Sequence, residues 1–587
     1  MLTPRAASVD TGWIASPGGF TGACWFEPAA ARRSAAAVLI VPGIAHEERT
    51  MADGLTALAQ SLASAGHGTL LIDLHGTAHS SGRLDTPRIG ELWRADVQAA
   101  VRHLREAGFE QVIVVGVRLG ALIALDALRH EQVAGFVAWS PVASGRRHVR
   151  ELRMLQGGAI VTDPQRAAAL SIAGHSIPAS VLAHLATLEL GPLADRAPAP
   201  APMLLIDHDE HLTASWCDGF ARAGHTVDRH AALQLDRWLF SPHLMPALPL
   251  ADIRSVTAWC QRVAPVVPAR APLRLRLLQE VVLTDADGRR VRERAVRIEP
   301  QGLSGIVSEP ADGQARGATR LLATLVGPGR LFPDFARAEA ARGKTCLRFD
   351  FAGFSTSRAR ADGTGASLYA PGNRADVIAA LAWLRRAGHE KVVMLGFCAG
   401  AWSMIHAGAA PGVVGFVGVN VASYRQPDYG WREYLRPAGH PVSKGLSLLR
   451  RIERVAPVVD RLERSLRLML SPSRWLLQMC RSPVRLLLVY GSSDLGLTHL
   501  KHQFGPRLRA LIRSGRVTVN AYDDLGHLTE GAGARAQAVV DIAAFLDELD
   551  DADAPVSRPA ALASTPRTER PGLRTLAGKA GTGSLSR

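Results

Sequence analysis

The residues best placed to do chemistry are Gly396-Phe397-Cys398-Ala399-Gly400, a Gly-x-nucleophile-x-Gly pattern with cysteine in the nucleophile's place. A lone cysteine among apolar residues is usually just a small buried hydrophobe. Here an apolar strand precedes it and a helix follows. Flanking glycines let the neighbouring backbones pass close to a strained turn. The unpaired amides at the helix start favour the thiolate, the reactive form. Downstream lie Asp494, just past the apolar run LLLVYGSSD, and His527, in VTVNAYDDLGHLTE. Nucleophile, acid, histidine is one of the chain orders in which catalytic triads occur. In that reading His527 takes or holds the thiol proton and Asp494 fixes the imidazole tautomer. Asp524 is an alternative acid, but three residues before His527 it reads better as a loop cap. His499 and His440 read as surface or lid residues. An oxyanion would be held by the amide of Ala399 and by a second amide in Gly327-Pro328-Gly329-Arg330. Pro328 has no N–H, which leaves Gly329 or Arg330.

The elements that must position these residues emerge when the chain is compared with itself. At an offset of 280 residues, 94–125 matches 374–405 with 15 identities in 32 positions and no gap. Each copy reads as an amphipathic helix ending at Ala-Gly, an apolar strand, then a small-residue turn into a second helix. Upstream, VLIVPG and LLIDLHG in the first copy answer ATLVGPG and CLRFDFAG in the second. Downstream, PMLLID answers PVRLLLVYGSSD. The expected fold class is α/β: two tandem domains, each a mostly parallel sheet with helices on both faces. Boundaries fall near 1–265 and 270–550, joined by the linker APVVPARAP, with a disordered tail over 551–587.

In the first copy the matching turn is Gly116-Val117-Arg118-Leu119-Gly120. A guanidinium is always protonated and cannot be an acyl nucleophile. Asp207, Asp209 and His243 follow as remnants of a site. This half is expected to lack hydrolytic chemistry and to serve for packing; Arg118 binding an anion is the alternative.

The length of 587 residues exceeds what one core supports. The formal charge of +15 is concentrated. Residues 424–481 have twelve Lys/Arg against five Asp/Glu, and 551–587 have six against three. Neither interleaves aromatic with basic residues, which argues against nucleic acid. Residues 424–481 interrupt the sheet pattern and read as a helical lid. Its arginines suit a solvated face, an anionic or carrier-bound acyl substrate, or peripheral contact with a membrane surface. The six cysteines have no metal-ligand or disulfide spacing, so no metal and no cofactor is expected. Free thiols and the lack of a leader or apolar span place the protein in the cytoplasm.

Both copies resemble the α/β-hydrolase superfamily. The second is similar to serine aminopeptidase-like hydrolases of bacterial polysaccharide gene clusters, through GPGRLF (327–332), LRFDFAGFSTS (347–357) and GFCAG (396–400). Members of that group often read G-x-C-S-G at the turn. The first resembles the exosortase A system-associated hydrolase type 2 proteins, through PGIAHEERTM (42–51), DLHGTAHSSG (73–82), GVRLGALIAL (116–125) and WSPVASGRRHV (139–149). That family also tends to have Arg at the nucleophile's position. The second copy departs from its group by Ser355-Thr356-Ser357 where an aspartate is usual and by Ala399 in place of Ser. The expectation is hydrolysis of an ester or thioester by Cys398, His527 and Asp494, in exopolysaccharide metabolism. The alternatives are acyl transfer in polysaccharide or lipid assembly and a two-domain scaffold with no activity. Nothing in the residues themselves supports a peptidase.

Overall fold

The computed structural model describes residues 8–551 except 29–31, 130, 156–168, 190–200, 209, 235–237, 239–247, 269–274, 286, 361–366, 371, 408–409, 423–475, 477 and 480–481, together with 573–575. Two large sheets dominate. The first contains β1 (Val9–Ser16), β2 (Gly19–Phe26), β3 (Ala36–Val41), β4 (Thr69–Ile72), β5 (Gln111–Val117), β6 (Gly135–Trp139), β7 (Pro202–Asp207) and β8 (Thr226–Ala231). Their spatial order is β1-β2-β4-β3-β5-β6-β7-β8. The pairs β1/β2 and β2/β4 are antiparallel and the rest parallel.

The second sheet contains β9 (Glu280–Thr284), β10 (Arg290–Ile298), β11 (Leu303–Pro310), β12 (Thr319–Ala323), β13 (Cys346–Phe349), β14 (Val392–Phe397), β15 (Val413–Val419), β16 (Arg485–Gly491), β17 (Val517–Tyr522) and β18 (Leu573–Thr575). Their order is β9-β10-β11-β13-β12-β14-β15-β16-β17-β18. With the two edge strands set aside, it repeats the first sheet's order strand for strand.

The central strands are continuous apolar runs because both faces are covered. Alternate residues of β3 and β5 go to opposite faces. Leu39 and Val114 pack with the helices Ile89–Glu106 and Leu119–Ala127, while Val38 and Ile113 pack with His46–Ser64 and Leu250–Val263. The second sheet does likewise. Leu321 faces Asn373–Arg386 and Ala399–Ala407, and Leu322 faces Leu331–Ala341 and Ala532–Asp551.

The two halves are bonded to each other as well as linked. Trp13 of β1 exchanges backbone hydrogen bonds of 2.9 and 2.8 Å with Leu278, and its buried ring packs with Val281, Leu283, Ile306 and Leu325. Two segments differ from the sequence reading. Val266–Pro268, at the start of the expected linker, pairs antiparallel with Arg32–Ser34. Leu573–Thr575, within the segment expected to be disordered, pairs antiparallel with β17. An open sheet edge offers a row of unpaired amides and carbonyls that any extended segment can satisfy. The expected lid lies outside the described residues apart from Leu476, Gln478 and Met479.

Candidate active site

The turn between β14 and the helix Ala399–Ala407 holds Cys398 in a strained conformation, with φ 47°. Two glycines make it possible. A Cβ on Gly396 would collide with the Ala401 backbone, and one on Gly400 would meet the Ala323 carbonyl oxygen at 2.5 Å. The Cys398 amide is tied down by a 2.8 Å bond to the Val419 carbonyl. The amide of Ala399 points at the sulfur.

Asp494 and His527 arrive on the loops after β16 and β17. Asp494 caps the helix Leu495–Phe504: one carboxylate oxygen accepts from the Gly496 amide at 2.7 Å, and the other lies 2.6 Å from His527 Nδ1. The His527 ring is within hydrogen-bonding reach of Cys398. The structure therefore brings Cys398, His527, Asp494 and Ala399 together. Asp524 is exposed and His527 bonds Asp494 instead. His499 bonds the Ala422 carbonyl at 2.8 Å, and His440 lies outside the described residues.

The electrostatics follow from these contacts. The Asp494 hydrogen bond, then that to Cys398, lifts His527 to about 10. Burial would raise the Cys398 thiol, but the His527 hydrogen bond and charge outweigh it and bring the thiol below its ordinary value. An imidazolium–thiolate pair is the resulting state.

Two further residues carried no signal in the sequence. Tyr369 Oη lies 3.7 Å from Cys398 Sγ. Burial and the neighbouring sulfur hold the phenol in its protonated form, so it donates. Asn420 is fully buried; its Nδ2 donates to the Gly526 and His527 carbonyls at 2.8 and 2.7 Å, and its Oδ1 accepts from the Gly491 amide at 3.0 Å. It ties the histidine loop to the end of β16. Neither residue has a spacing that sequence patterns encode.

Gly329, the candidate second oxyanion donor, has φ 54° in a single turn over Pro328–Arg330. Its carbonyl accepts from Arg535 at 2.7 Å. The Arg330 side chain turns away to the first half, bonding the Gly82 and Ser80 carbonyls at 2.7 and 2.8 Å.

The first half has the same turn with Arg118 in the place of the cysteine. Arg118 has φ 53°, and its Nε lies 2.8 Å from Glu47. Asp207 accepts from the His208 amide at 2.7 Å and lies 3.4 Å from Ser140 Oγ. His243 and Asp209 lie outside the described residues. Arg118, Glu47 and Asp207 line a cavity of about 450 Å³.

The strand order, the elbow and the loop-borne acid and histidine decide the architecture. The fold is that of an α/β hydrolase. Residues 32–223 match the family model described as serine aminopeptidase, S33, within the half whose elbow contains Arg118. No curated protein matches the chain. Similar solved structures include Est1E from Butyrivibrio proteoclasticus, 15% identical, TM-score 0.33, covering 43% of this chain and 98% of that one. XC6422 from Xanthomonas campestris, described as an α/β serine hydrolase without lid, is 14% identical, TM-score 0.30, covering 46% and 100%. Brefeldin A esterase, a bacterial homologue of human hormone-sensitive lipase, is 18% identical, TM-score 0.31, covering 45% and 79%. Among the described residues no helix is long and apolar enough to cross a membrane, and no group of three or more His, Cys, Asp or Glu could hold a metal ion.

Proposed function

We propose that this protein hydrolyses an ester or thioester, from a small-molecule or carrier-bound acyl substrate, through Cys398, His527 and Asp494. The observation that carries the reading is the 2.6 Å bond from Asp494 to a His527 whose ring reaches the Cys398 sulfur. The thiolate attacks the acyl carbon; the developing oxyanion is held by the Ala399 amide, with Gly329 the candidate for the second. His527, as imidazolium, gives its proton to the leaving group. The acyl-enzyme is then cleaved by water that His527 deprotonates, and the thiolate returns.

In this reading the first half is a nucleophile-less domain, over 1–265, and the chemistry belongs to 270–550. The described cysteines are free, which supports a reducing compartment, the cytoplasm. A place in exopolysaccharide metabolism rests on the sequence resemblances alone. Short p-nitrophenyl esters and acyl thioesters test the activity on the full chain. Cys398→Ala should lower turnover at least about a thousandfold, as loss of a covalent nucleophile does; turnover equal to the parent's would overturn the mechanism.

A further inference from the structure

A hairpin of the first half rests on two loops of the second. It pairs Leu170–Ile172 with His175–Ile177 and turns at Ala173-Gly174, with φ 49° and 82°. Leu170, Ile172 and Ile177 are buried in the core of the first half, which fixes the hairpin to that half. It lies between β6 and β7, where the second half has its expected lid between β15 and β16.

The first loop it meets is the one that carries His527. Ser171 Oγ donates to the Glu530 carbonyl, three residues past the histidine. A Cβ on Gly174 would strike the Leu528 carbonyl oxygen, so the two backbones are in contact. This loop needs support. Thr529 has φ 60°, and a non-glycine residue stays there only where its surroundings impose it. Asn420 holds the Gly526-His527 end from within the second half, through the two carbonyls it bonds. The hairpin holds the Leu528–Glu530 end.

The second loop is the Pro328–Arg330 turn. Arg535, in the first turn of the helix Ala532–Asp551, donates to the Gly174 carbonyl and, at 2.7 Å, to the Gly329 carbonyl. A Cβ on Gly329 would collide with both the Gly174 carbonyl oxygen and the Arg535 guanidinium. One planar side chain therefore clamps the tip of the hairpin to the turn that presents the Gly329 amide.

We propose that this hairpin is a positioning element of the Cys398 site. Arg535 is its positioning residue for the turn: by tying Gly329 to Gly174 it sets the amide that receives the oxyanion, while Ser171 steadies the loop of His527. The first half thereby acts on the chemistry of its twin without touching the substrate. The proposal rests on Cys398 as nucleophile and Gly329 as the second oxyanion donor.

Two reactions of the same thiolate test it on the full chain without knowledge of the substrate. With p-nitrophenyl acetate the sulfur attacks the acetyl carbon and p-nitrophenolate leaves, through an oxyanion. With iodoacetamide the sulfur displaces iodide, and no oxyanion forms. Mass spectrometry follows both at Cys398, and the acylation-to-alkylation ratio cancels any change in thiolate fraction. Arg535→Gln should lower that ratio about tenfold, less than the loss of a whole oxyanion-hole donor, and Arg535→Lys should retain part of it. A merely structural role would slow both reactions alike. Ser171→Ala, made in the first half, should move the alkylation rate profile of Cys398 to higher pH. An unchanged ratio in Arg535→Gln together with an unchanged profile in Ser171→Ala overturns the positioning role and leaves the nucleophile standing. A parent Cys398 that neither reagent labels overturns the nucleophile, and the positioning role with it.

Discussion

At the scale of residues, the decisive feature is that burial and hydrogen bonding oppose each other at Cys398 and hydrogen bonding wins. The half-buried Cys24 and the buried Cys260 have no histidine partner, and desolvation pushes both thiols up to about 12. Cys398 differs because His527 stays charged until about pH 10 and stands beside it. The sign follows directly. Cys398 remains a thiolate below the usual thiol range, so iodoacetamide should label it at pH 7 ahead of the other described cysteines. His527→Asn removes the charge and leaves burial unopposed. Its alkylation rate at pH 7 should fall more than about tenfold, with the rate profile moved to higher pH. Superimposable profiles for parent and variant would mean that the imidazolium does not hold the thiolate.

At the scale of elements, β10 contributes more than a row of ladder hydrogen bonds. Glu293 lies fully buried on it, bonded to Arg348 and Arg337 at 2.8 and 2.7 Å. Arg337 also donates to the Ser80 and His79 carbonyls of the first half at 2.9 and 2.8 Å. Burial alone would raise the Glu293 carboxyl, but the two guanidinium groups hold it at about 2. Because the folded value lies below the ordinary one, this stabilisation is present above about pH 4.5 and is lost as pH falls toward 2. Glu293→Ala strands two buried cations and should cost about 3–5 kcal/mol at pH 7. Urea unfolding at pH 7 checks this; a loss under about 1 kcal/mol would show that water or other groups replace the carboxylate.

At the scale of the whole molecule, the two halves share a core at their junction. Trp13 belongs to β1, yet its ring is buried against Val281, Leu283 and Ile306 of β9 and β11 and against Leu325. Its indole N–H donates to the His79 carbonyl at 3.1 Å. Trp13→Ala should therefore destabilise by about 3–5 kcal/mol. Hydrogen exchange should quicken in β9–β11, in the other half from the substitution. Exchange there at the parent's rate would mean that the halves are stable independently.

The sequence by itself determined the alternation of strands and helices, the internal match at an offset of 280, and the strand–turn–helix elbows that hold Cys398 and Arg118. Each is written in local spacing: apolar runs, glycines at a forced turn, the order of residues along the chain. Asp494 and His527 were legible for the same reason, since each follows an apolar strand. Tyr369, Asn420 and the junction of the halves were not. Tyr369 meets the sulfur from a loop 29 residues earlier, and Asn420 bonds a histidine loop 107 residues on. Such pairings depend on how strands are ordered in the sheet, which leaves no periodic mark. The same holds for Arg337, whose guanidinium bonds the Ser80 and His79 carbonyls of the other half. Only tertiary structure joins the two halves, because the packing of two domains is decided by surface shape and buried charge rather than by any pattern within either one.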